Sequence, residues 1–340
     1  MHRIKDIIKT AKYDFLRTDE HLKNNLIFLT FGGSHAYGTA TPTSDIDVRG
    51  CAFNRKSDLI GMSNFEQVVE EKTDTTVYSF NKLIKLLCDC NPNTIEMLGC
   101  KPEHYIIYSP VAQEMIDNTK LFLSKRAAIS FGGYANQQLR RLQNALARDS
   151  YPQAEREHHI MGSVKSAMMS FEDRYSKMPE GSLTLAIDKS EQEDLEMEIF
   201  VDVCLKHYPL RDYKNIWSDM NNIVKDYGKL NKRNNKKDDI HLNKHAMHLI
   251  RLYLMCLDIL ETEKVNTFRE NDLELLMNIR NGKYQKEDGT FHMDFFDMVT
   301  EYENRVKYAA NNTSLPEKPN LELIEEFVMS VNKKVIQDDY

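Results

Sequence analysis

The front of the chain changes from helical spacing to a short apolar run. Apolar side chains recur at helical intervals over residues 1–23, which predicts an amphipathic helix. The run Leu26–Phe31 is apolar apart from Thr30 and ends at Gly32 and Gly33, which predicts a buried strand and a sharp turn. We therefore expect a mixed α/β arrangement at the front of the chain.

Two more extended segments follow this turn. Residues 45–49 alternate charged and apolar side chains, the period of a second strand. Residues 68–78 form a third extended stretch, which is rich in β-branched side chains. From Ser79 the spacing becomes helical, and it ends at Asn91-Pro92 because proline cannot continue a helix.

The rest of the chain is predicted to be mostly helical. Helical spacing occurs in segments 124–148, 155–177, 190–207, 241–262, 270–280, 292–310 and 320–334. The stretch Lys225–Asp239 is polar and basic, which predicts a loop. The expected fold is of α+β or α/β class, with a small mixed β-sheet domain in residues 1–120 and a helical domain in residues 121–340.

Charge and composition restrict the class of protein. The net charge of -7 and a pI near 5.9 argue against a protein that coats itself in nucleic acid, so nucleic-acid contacts should be local. The six cysteines show no CxxC pair, and we expect a reducing, cytoplasmic setting. The charged start does not resemble a signal peptide, and no segment approaches the about 20 apolar residues of a membrane span.

A glycine-serine pair precedes two aspartates at a spacing that suggests chemistry. Gly33-Ser34 is followed by ten residues and then by Asp45-Ile46-Asp47. Alternate residues of a strand share one face, so Asp45 and Asp47 should project together. Two such carboxylates repel each other unless a cation lies between them, and hard oxygen ligands suit Mg²⁺. An alternative is a surface hairpin with no bound metal.

The neighbouring residues extend this prediction. Gly33 lets the backbone approach a phosphate, and Ser34 offers an amide and a hydroxyl to the same anion. Asp74, in the third extended stretch, is the candidate third carboxylate of a site for two Mg²⁺ ions, although it can also serve as the cap of the following helix.

These motifs resemble a known family. Gly33-Ser34-x10-Asp45-x-Asp47 resembles the signature of the polymerase-beta nucleotidyltransferase superfamily, and the segment through Gly50 is similar to its RNA-repair-associated branch of predicted nucleotidyltransferases. Further resemblances are found in Asn91-Pro92-x3-Glu96, Lys244–Leu252, Ile279-Arg280-Asn281-Gly282 and Leu315–Pro319. The resemblance implies a palm-like catalytic domain, catalytic Asp45, Asp47 and Asp74, and transfer of NMP from an NTP with release of pyrophosphate.

Several basic residues are candidate phosphate contacts. Lys244, His248 and Arg251 occupy positions i, i+4 and i+7 of a predicted helix, so they can present three donors on one face. The alternative is an exposed charged stripe with a packed histidine. Arg49 can bind phosphate or form an ion pair, and residues 225–237 can be a basic finger for RNA or a solvated loop.

The sequence leaves several possible acceptors for the NMP group. The family association and the local basic patches favour transfer, without a template, of NMP from an NTP, with ATP expected, to an RNA 3′ end such as that of tRNA. A second hypothesis is AMP transfer to a protein hydroxyl, as in antitoxin-like members of the superfamily. A small-molecule acceptor, a nucleotide messenger and a non-catalytic nucleotide-binding protein are further alternatives.

Overall fold

The computed structural model divides into two compact units. It describes residues 6–149, 161, 164–165, 182–190, 197–234, 239–287 and 289–337. The main unit consists of Met1–Arg140 and Asn243–Tyr340, and the inserted unit is Arg141–Leu242. This differs from the predicted division after residue 120, because the C-terminal helices share a unit with the sheet. Nearly all of the predicted helix 155–177 lies outside the described residues.

The main unit is built on a five-stranded mixed sheet. The strands are β1 (Leu26–Phe31), β2 (Val48–Ala52), β3 (Gln67–Glu70), β4 (Thr75–Ser79) and β5 (Tyr105–Tyr108). Their order is β3-β4-β2-β1-β5. β2 and β4 are parallel, whereas the pairs β1–β2, β1–β5 and β3–β4 are antiparallel. The mixed sheet with helices confirms the predicted fold class.

The strands are connected and followed by helices. Those before the inserted unit's sheet are α1 (Phe15–Thr18), α2 (Gly33–Tyr37), α3 (Lys56–Ile60), α4 (Phe80–Cys88), α5 (Pro92–Ile95), α6 (Pro110–Asp117) and α7 (Arg126–Asp149). Those after it are α8 (Leu210–Asn234), α9 (Asp239–Leu257), α10 (Leu273–Arg280), α11 (Met293–Asn312) and α12 (Leu321–Ile336). In the described part of the chain, no helix has the length and apolar character needed to cross a membrane.

Short helical turns complete the main unit. The 3₁₀ turns are Asp6–Lys9, Ala11–Tyr13, Glu71–Thr73, Glu96–Gly99, Pro102–His104, Thr119–Phe122 and Glu270–Asp272, and a π turn spans Asp258–Thr262. Side-chain caps set two helix starts. Ser79, where the sequence predicts a helix to begin, accepts a hydrogen bond from the Lys82 amide at 3.3 Å, and Asn91 caps the helix that begins at Pro92.

The predicted N-terminal helix over residues 1–23 is wrong. The described part of this segment consists of the turns Asp6–Lys9 and Ala11–Tyr13 and the short α1. Arg17 donates a hydrogen bond to the Ile8 carbonyl at 2.8 Å, which folds the segment back on itself. The apolar side chains counted as one helical face are thus spread over separate turns.

The third extended stretch is a hairpin rather than one strand. β3 ends at Glu70, a 3₁₀ turn covers Glu71–Thr73, and β4 begins at Thr75. Asp74 lies in the turn with a left-handed backbone (φ 41°), so it immediately precedes β4. β2 likewise begins one residue after Asp47, which places Asp45 and Asp47 on the approach to the strand.

The inserted unit contains two features that the sequence did not predict. β6 (Leu183–Lys189) and β7 (Met197–Val203) form an antiparallel pair, so the predicted helix over residues 190–207 is wrong. The β-branched Ile199 lies opposite Ile187 in this pair, and such pairs favour strands. The predicted loop Lys225–Asp239 is helical up to Asn234, the end of α8.

Candidate active site

Gly33 and Asp47 meet closely where β1 gives way to α2. The Gly32 amide donates to the Asp47 carbonyl at 2.9 Å, which extends the β1–β2 pairing by one residue. Gly33 has a positive φ of 54°, and a Cβ placed on it would lie 1.7 Å from Oδ2 of Asp47. A residue with a side chain at position 33 would therefore displace the Asp47 carboxylate.

The sheet register brings Asp47 and Asp74 together. In the parallel pair β2–β4, Val48 lies beside Thr75, and each of these residues is preceded by an aspartate. The Val48 amide also donates to the Asp74 carbonyl at 3.2 Å. Two carboxylates from distant parts of the sequence thus meet at one end of the sheet.

The carboxyls of Asp47 and Asp74 influence each other's ionisation. The pKa of Asp47 is raised to about 7, first by burial and then by the hydrogen bond to Asp74 and the charge of Asp74. The pKa of Asp74 is lowered, first by the hydrogen bond from Asp47 and also by Arg49 and Lys244. Two negative charges repel in this pair, which is the charge arrangement that a divalent cation relieves.

Asp47 and Asp74 fit a magnesium site, for which Asp45 is the predicted third ligand. Asp47 and Asp74 supply the hard oxygen ligands that Mg²⁺ prefers, and the side chain of Asp74 is exposed to incoming groups. Asp45 is exposed as well. Among the described residues, no three His, Cys, Asp or Glu side chains converge enough to hold a metal ion. The role of Asp45 as a third ligand stays a prediction.

Arg49 holds Asp74 in place. Its guanidinium donates to Oδ1 of Asp74 at 3.0 Å, to the Asp74 carbonyl, and to the Val48 carbonyl at 3.0 Å. Of the two roles considered from the sequence, this geometry corresponds to the ion pair. Binding of phosphate by Arg49 stays a prediction and would require the guanidinium to use its remaining donors.

Ser34 lies in the first turn of α2, next to Gly33. Its carbonyl accepts hydrogen bonds from the amides of Gly38 and Thr39, the latter at 3.0 Å, which closes the short helix. Its side chain is partly exposed, and within the described residues its hydroxyl has no hydrogen-bond partner. Ser34 can therefore still offer this hydroxyl to an anion.

The three basic residues of α9 differ in exposure. Lys244 is exposed, and its charge lowers the pKa of both Asp47 and Asp74, so it lies near the pair, and its binding of phosphate stays a prediction. The pKa of His248 lies well below its usual value because of burial and the charges of Arg251 and Lys244, which keeps the ring neutral. Lys244 is thus the member that is free to meet a phosphate.

Arg251 belongs to a buried clamp that the sequence did not predict. It forms an ion pair with Glu96 at 3.3 Å and lies 3.7 Å above the centre of the Tyr37 ring. The Tyr37 hydroxyl donates to the same Glu96 carboxylate at 2.9 Å. This clamp attaches α9 to α2, the helix that follows Gly33. Phosphate binding by Arg251 stays a prediction.

Arg280 is a second residue that sequence reasoning did not assign to the site. It donates to the Thr39 carbonyl and, at 3.4 Å, to the Ser44 hydroxyl, and thereby holds both ends of the loop before Asp45. Glu96 and Arg280 lie in the motifs Asn-Pro-x3-Glu and Ile-Arg-Asn-Gly. These motifs resemble the family, but the resemblance by itself gives neither residue a role.

The fold and the site define a nucleotidyltransferase. The paired aspartates immediately precede neighbouring strands of a mixed sheet, beside a Gly-Ser turn. Residues 7–170 match RlaP, described as the RNA repair pathway DNA polymerase beta family. This part of the chain, which carries the sheet and all three aspartates, belongs to the polymerase-beta-type nucleotidyltransferases, and the protein is an enzyme of that class.

A relative in a bacterial virus covers nearly the whole chain. This protein, described as an uncharacterized 38.9 kDa protein in the nrdC-mobD intergenic region of Enterobacteria phage T4, is 20% identical over 327 residues. The alignment covers 89% of this chain and 95% of the phage protein. No solved structure matches the chain significantly.

Proposed function

We propose that the protein transfers NMP from an NTP, with ATP as the expected donor, to the hydroxyl at an RNA 3′ end such as that of tRNA. The observation that carries the proposal is the Asp47–Asp74 pair, which the parallel register of β2 and β4 brings together beside Gly33. The RNA acceptor is supported by the RNA repair context in the description of the matching family.

The proposed reaction is an attack of the acceptor hydroxyl on the α-phosphorus of the NTP. The acceptor oxygen forms a bond to the α-phosphorus, the bond from that phosphorus to the bridging oxygen breaks, and pyrophosphate leaves. When bound at the aspartates, Mg²⁺ ions polarise the phosphate and ease ionisation of the hydroxyl. The hydroxyl proton passes to solvent along the exposed Asp74 carboxylate.

The other groups orient the substrates. Gly33 leaves room for the triphosphate to approach the backbone, and the Ser34 hydroxyl donates to a phosphate oxygen. Lys244 donates to a phosphate oxygen of the bound triphosphate. Arg49 binds the Asp74 carboxylate at 3.0 Å and would thereby hold it beside Asp47 to share the same cations.

Labelled nucleotides test this function. The protein is incubated with Mg²⁺, total cell RNA and total cell protein, with each NTP labelled in turn at the α-phosphate. We expect label that resists protease and is removed by ribonuclease, and no label from γ-labelled ATP. Label that resists ribonuclease and is removed by protease would refute the RNA acceptor and support AMP transfer to protein.

A matched pair of variants tests the site. Asp47→Asn keeps the shape of the side chain and should lower transfer by at least about 100-fold, the scale seen when transition-state charge loses its support. Asp89→Asn, which changes an exposed aspartate paired with Arg126 at 2.6 Å, should retain full activity. If Asp47→Asn transfers label as the wild type does, Asp47 is not part of the catalytic machinery, whereas a wild type that transfers no label would support a non-catalytic nucleotide-binding protein.

A further inference from the structure

The inserted unit carries an apolar stripe on α8 that its own core does not cover. α8 packs into that core through Met220 and Ile223, and its Ile216 is also buried. A neighbouring stripe at spacings of three, four and seven residues stays exposed: Leu210 86%, Tyr213 45%, Trp217 66% and Val224 55%. Two aromatic side chains thus lie open to solvent one turn apart.

A row of polar and basic side chains borders this stripe. Lys214, Asn221 and Lys225 are exposed and follow one another at spacings of seven and four residues, so they share one face of the helix. Trp217 is three residues from Lys214 and four from Asn221, which makes it a direct neighbour of both. Among the described residues, no carboxylate forms an ion pair with Lys214 or Lys225.

The acidic residues of this part of α8 lie elsewhere. Asp212 and Asp219 are seven residues apart and partly buried. Helical spacing places the core-facing residues of α8 between these aspartates and the exposed apolar stripe. Positive charge therefore accompanies the aromatic side chains, and negative charge is kept away from them. The face has a definite electrostatic sign although the whole chain is acidic, with a net charge of -7.

We infer that this face of α8 binds single-stranded RNA. Exposed bases can stack on Tyr213 and Trp217 while lysines beside them neutralise the phosphates, the combination by which proteins hold single strands without reading sequence. Asn221 can donate to and accept from base edges or ribose hydroxyls. The inference deepens the proposed function and rests on it for the choice of RNA as the nucleic acid.

A second copy of the chain fits this face less well. In a two-fold dimer formed through the stripe, Lys214 and Lys225 of one copy would face one of two surfaces of the other copy. These are the same row of lysines or the core-facing side of α8. The aspartates that could pair with it, Asp212 and Asp219, are turned away from the stripe. Like charges brought together oppose association, whereas a phosphate backbone supplies the missing negative charge.

The only tryptophan in the chain reports on this face directly. Trp217 is that residue, so quenching of intrinsic fluorescence during titration of the full chain with an oligouridylate of about 12 nucleotides measures stacking at α8. We expect saturable quenching that weakens with salt, with a slope of roughly 0.7 per phosphate contact in the logarithmic plot.

Matched variants assign the binding to the stripe and its row. With fluorescently labelled RNA, Trp217→Ala should weaken binding about 5- to 100-fold, the range for loss of one base stack. Lys214→Glu/Lys225→Glu should weaken binding and reduce the salt slope. The controls Tyr308→Ala, at a 70% exposed tyrosine of α11, and Lys85→Glu/Lys318→Glu, at exposed lysines, should bind as the wild type does.

The outcomes separate this inference from the proposed function. If the wild type labels RNA but Trp217→Ala and the double lysine variant bind RNA normally, the surface assignment is wrong and the reaction stands. If the wild type labels only protein, the RNA reaction fails, and quenching by oligouridylate then decides whether α8 binds RNA at all. A dimer in light scattering that Trp217→Ala converts to monomer would overturn the inference in favour of a second copy.

Discussion

Asp47→Asn should stabilise the metal-free protein at high pH while abolishing its activity. Burial and Asp74 raise the pKa of Asp47 in the folded chain to about 7, from 3.8. A carboxyl whose folded pKa is raised favours folding while it is protonated. Its contribution is fully present below about pH 4 and is lost as the pH rises through about 7. Asparagine has no such loss.

The size of the effect follows from this shift. A rise of about three pKa units corresponds to about 4 kcal/mol as an upper limit. Asp47 is partly exposed, and the pKa of its partner Asp74 moves in the opposite direction, so solvent screening and coupling reduce the net effect to about 1–2 kcal/mol. For a chain of this size we expect a difference in Tm of about 2–4 °C at pH 8.

Thermal unfolding in a chelator from pH 4.5 to 8.5 measures this difference. The Tm of Asp47→Asn relative to wild type should rise across the range, whereas that of Asp89→Asn should not. Addition of Mg²⁺ at pH 8 should raise the Tm of the wild type and have little effect on Asp47→Asn. If the Tm difference between Asp47→Asn and the wild type does not depend on pH, the two carboxylates do not repel each other in the folded protein. This result would refute the argument for a cation between Asp47 and Asp74.

Three further substitutions test separate parts of the site. Gly33→Ala should lower label transfer at least about 100-fold, because the new Cβ displaces the Asp47 carboxylate. Glu96→Gln leaves the Arg251 charge buried without a carboxylate and should cost about 3 kcal/mol of unfolding free energy in a urea titration. Lys244→Ala should raise the KM for ATP about tenfold with little change in kcat, as a lost phosphate contact does.

Two of these substitutions have a matched control, and the third has an outcome that would contradict it. Gly132→Ala introduces a Cβ with no atom within 4 Å, so activity equal to that of Gly33→Ala would disprove the steric argument. Loss of less than about 1 kcal/mol in Glu96→Gln would show that the clamp is not needed for stability. Lys125→Ala, at a lysine paired with Glu317 at 2.6 Å, should leave the KM unchanged, and an equal rise in both variants would remove Lys244 from the site.

Local patterns in the sequence predicted the elements that depend on local physics. The strand Leu26–Phe31 and the helix start at Ser79 appeared as predicted, since an apolar run and a side-chain cap act within a few residues. The long C-terminal helices also followed their periodicity. The hairpin around Asp74 was missed because two adjoining β-rich segments have the same period as one longer strand.

Long-range pairing could not be predicted in the same way. Glu96 and Arg251 are 155 residues apart, and nothing in either local pattern indicates that the two charges are buried together. The Asp47–Asp74 contact depends on the parallel register of β2 and β4, which periodicity does not determine. The apolar pattern predicted which segments become strands, and packing determined which residues meet.

The clamp explains why the C-terminal helices belong to the catalytic unit. The family match ends at residue 170, yet Arg251 and Arg280 from beyond it contact α2 and the loop before Asp45. A buried arginine is stable only with its carboxylate partner, so α9 must be in place for Glu96 and Tyr37 to be satisfied. α2 begins at Gly33, against which Asp47 packs. The position of the aspartates therefore depends on helices that lie outside the recognised family segment.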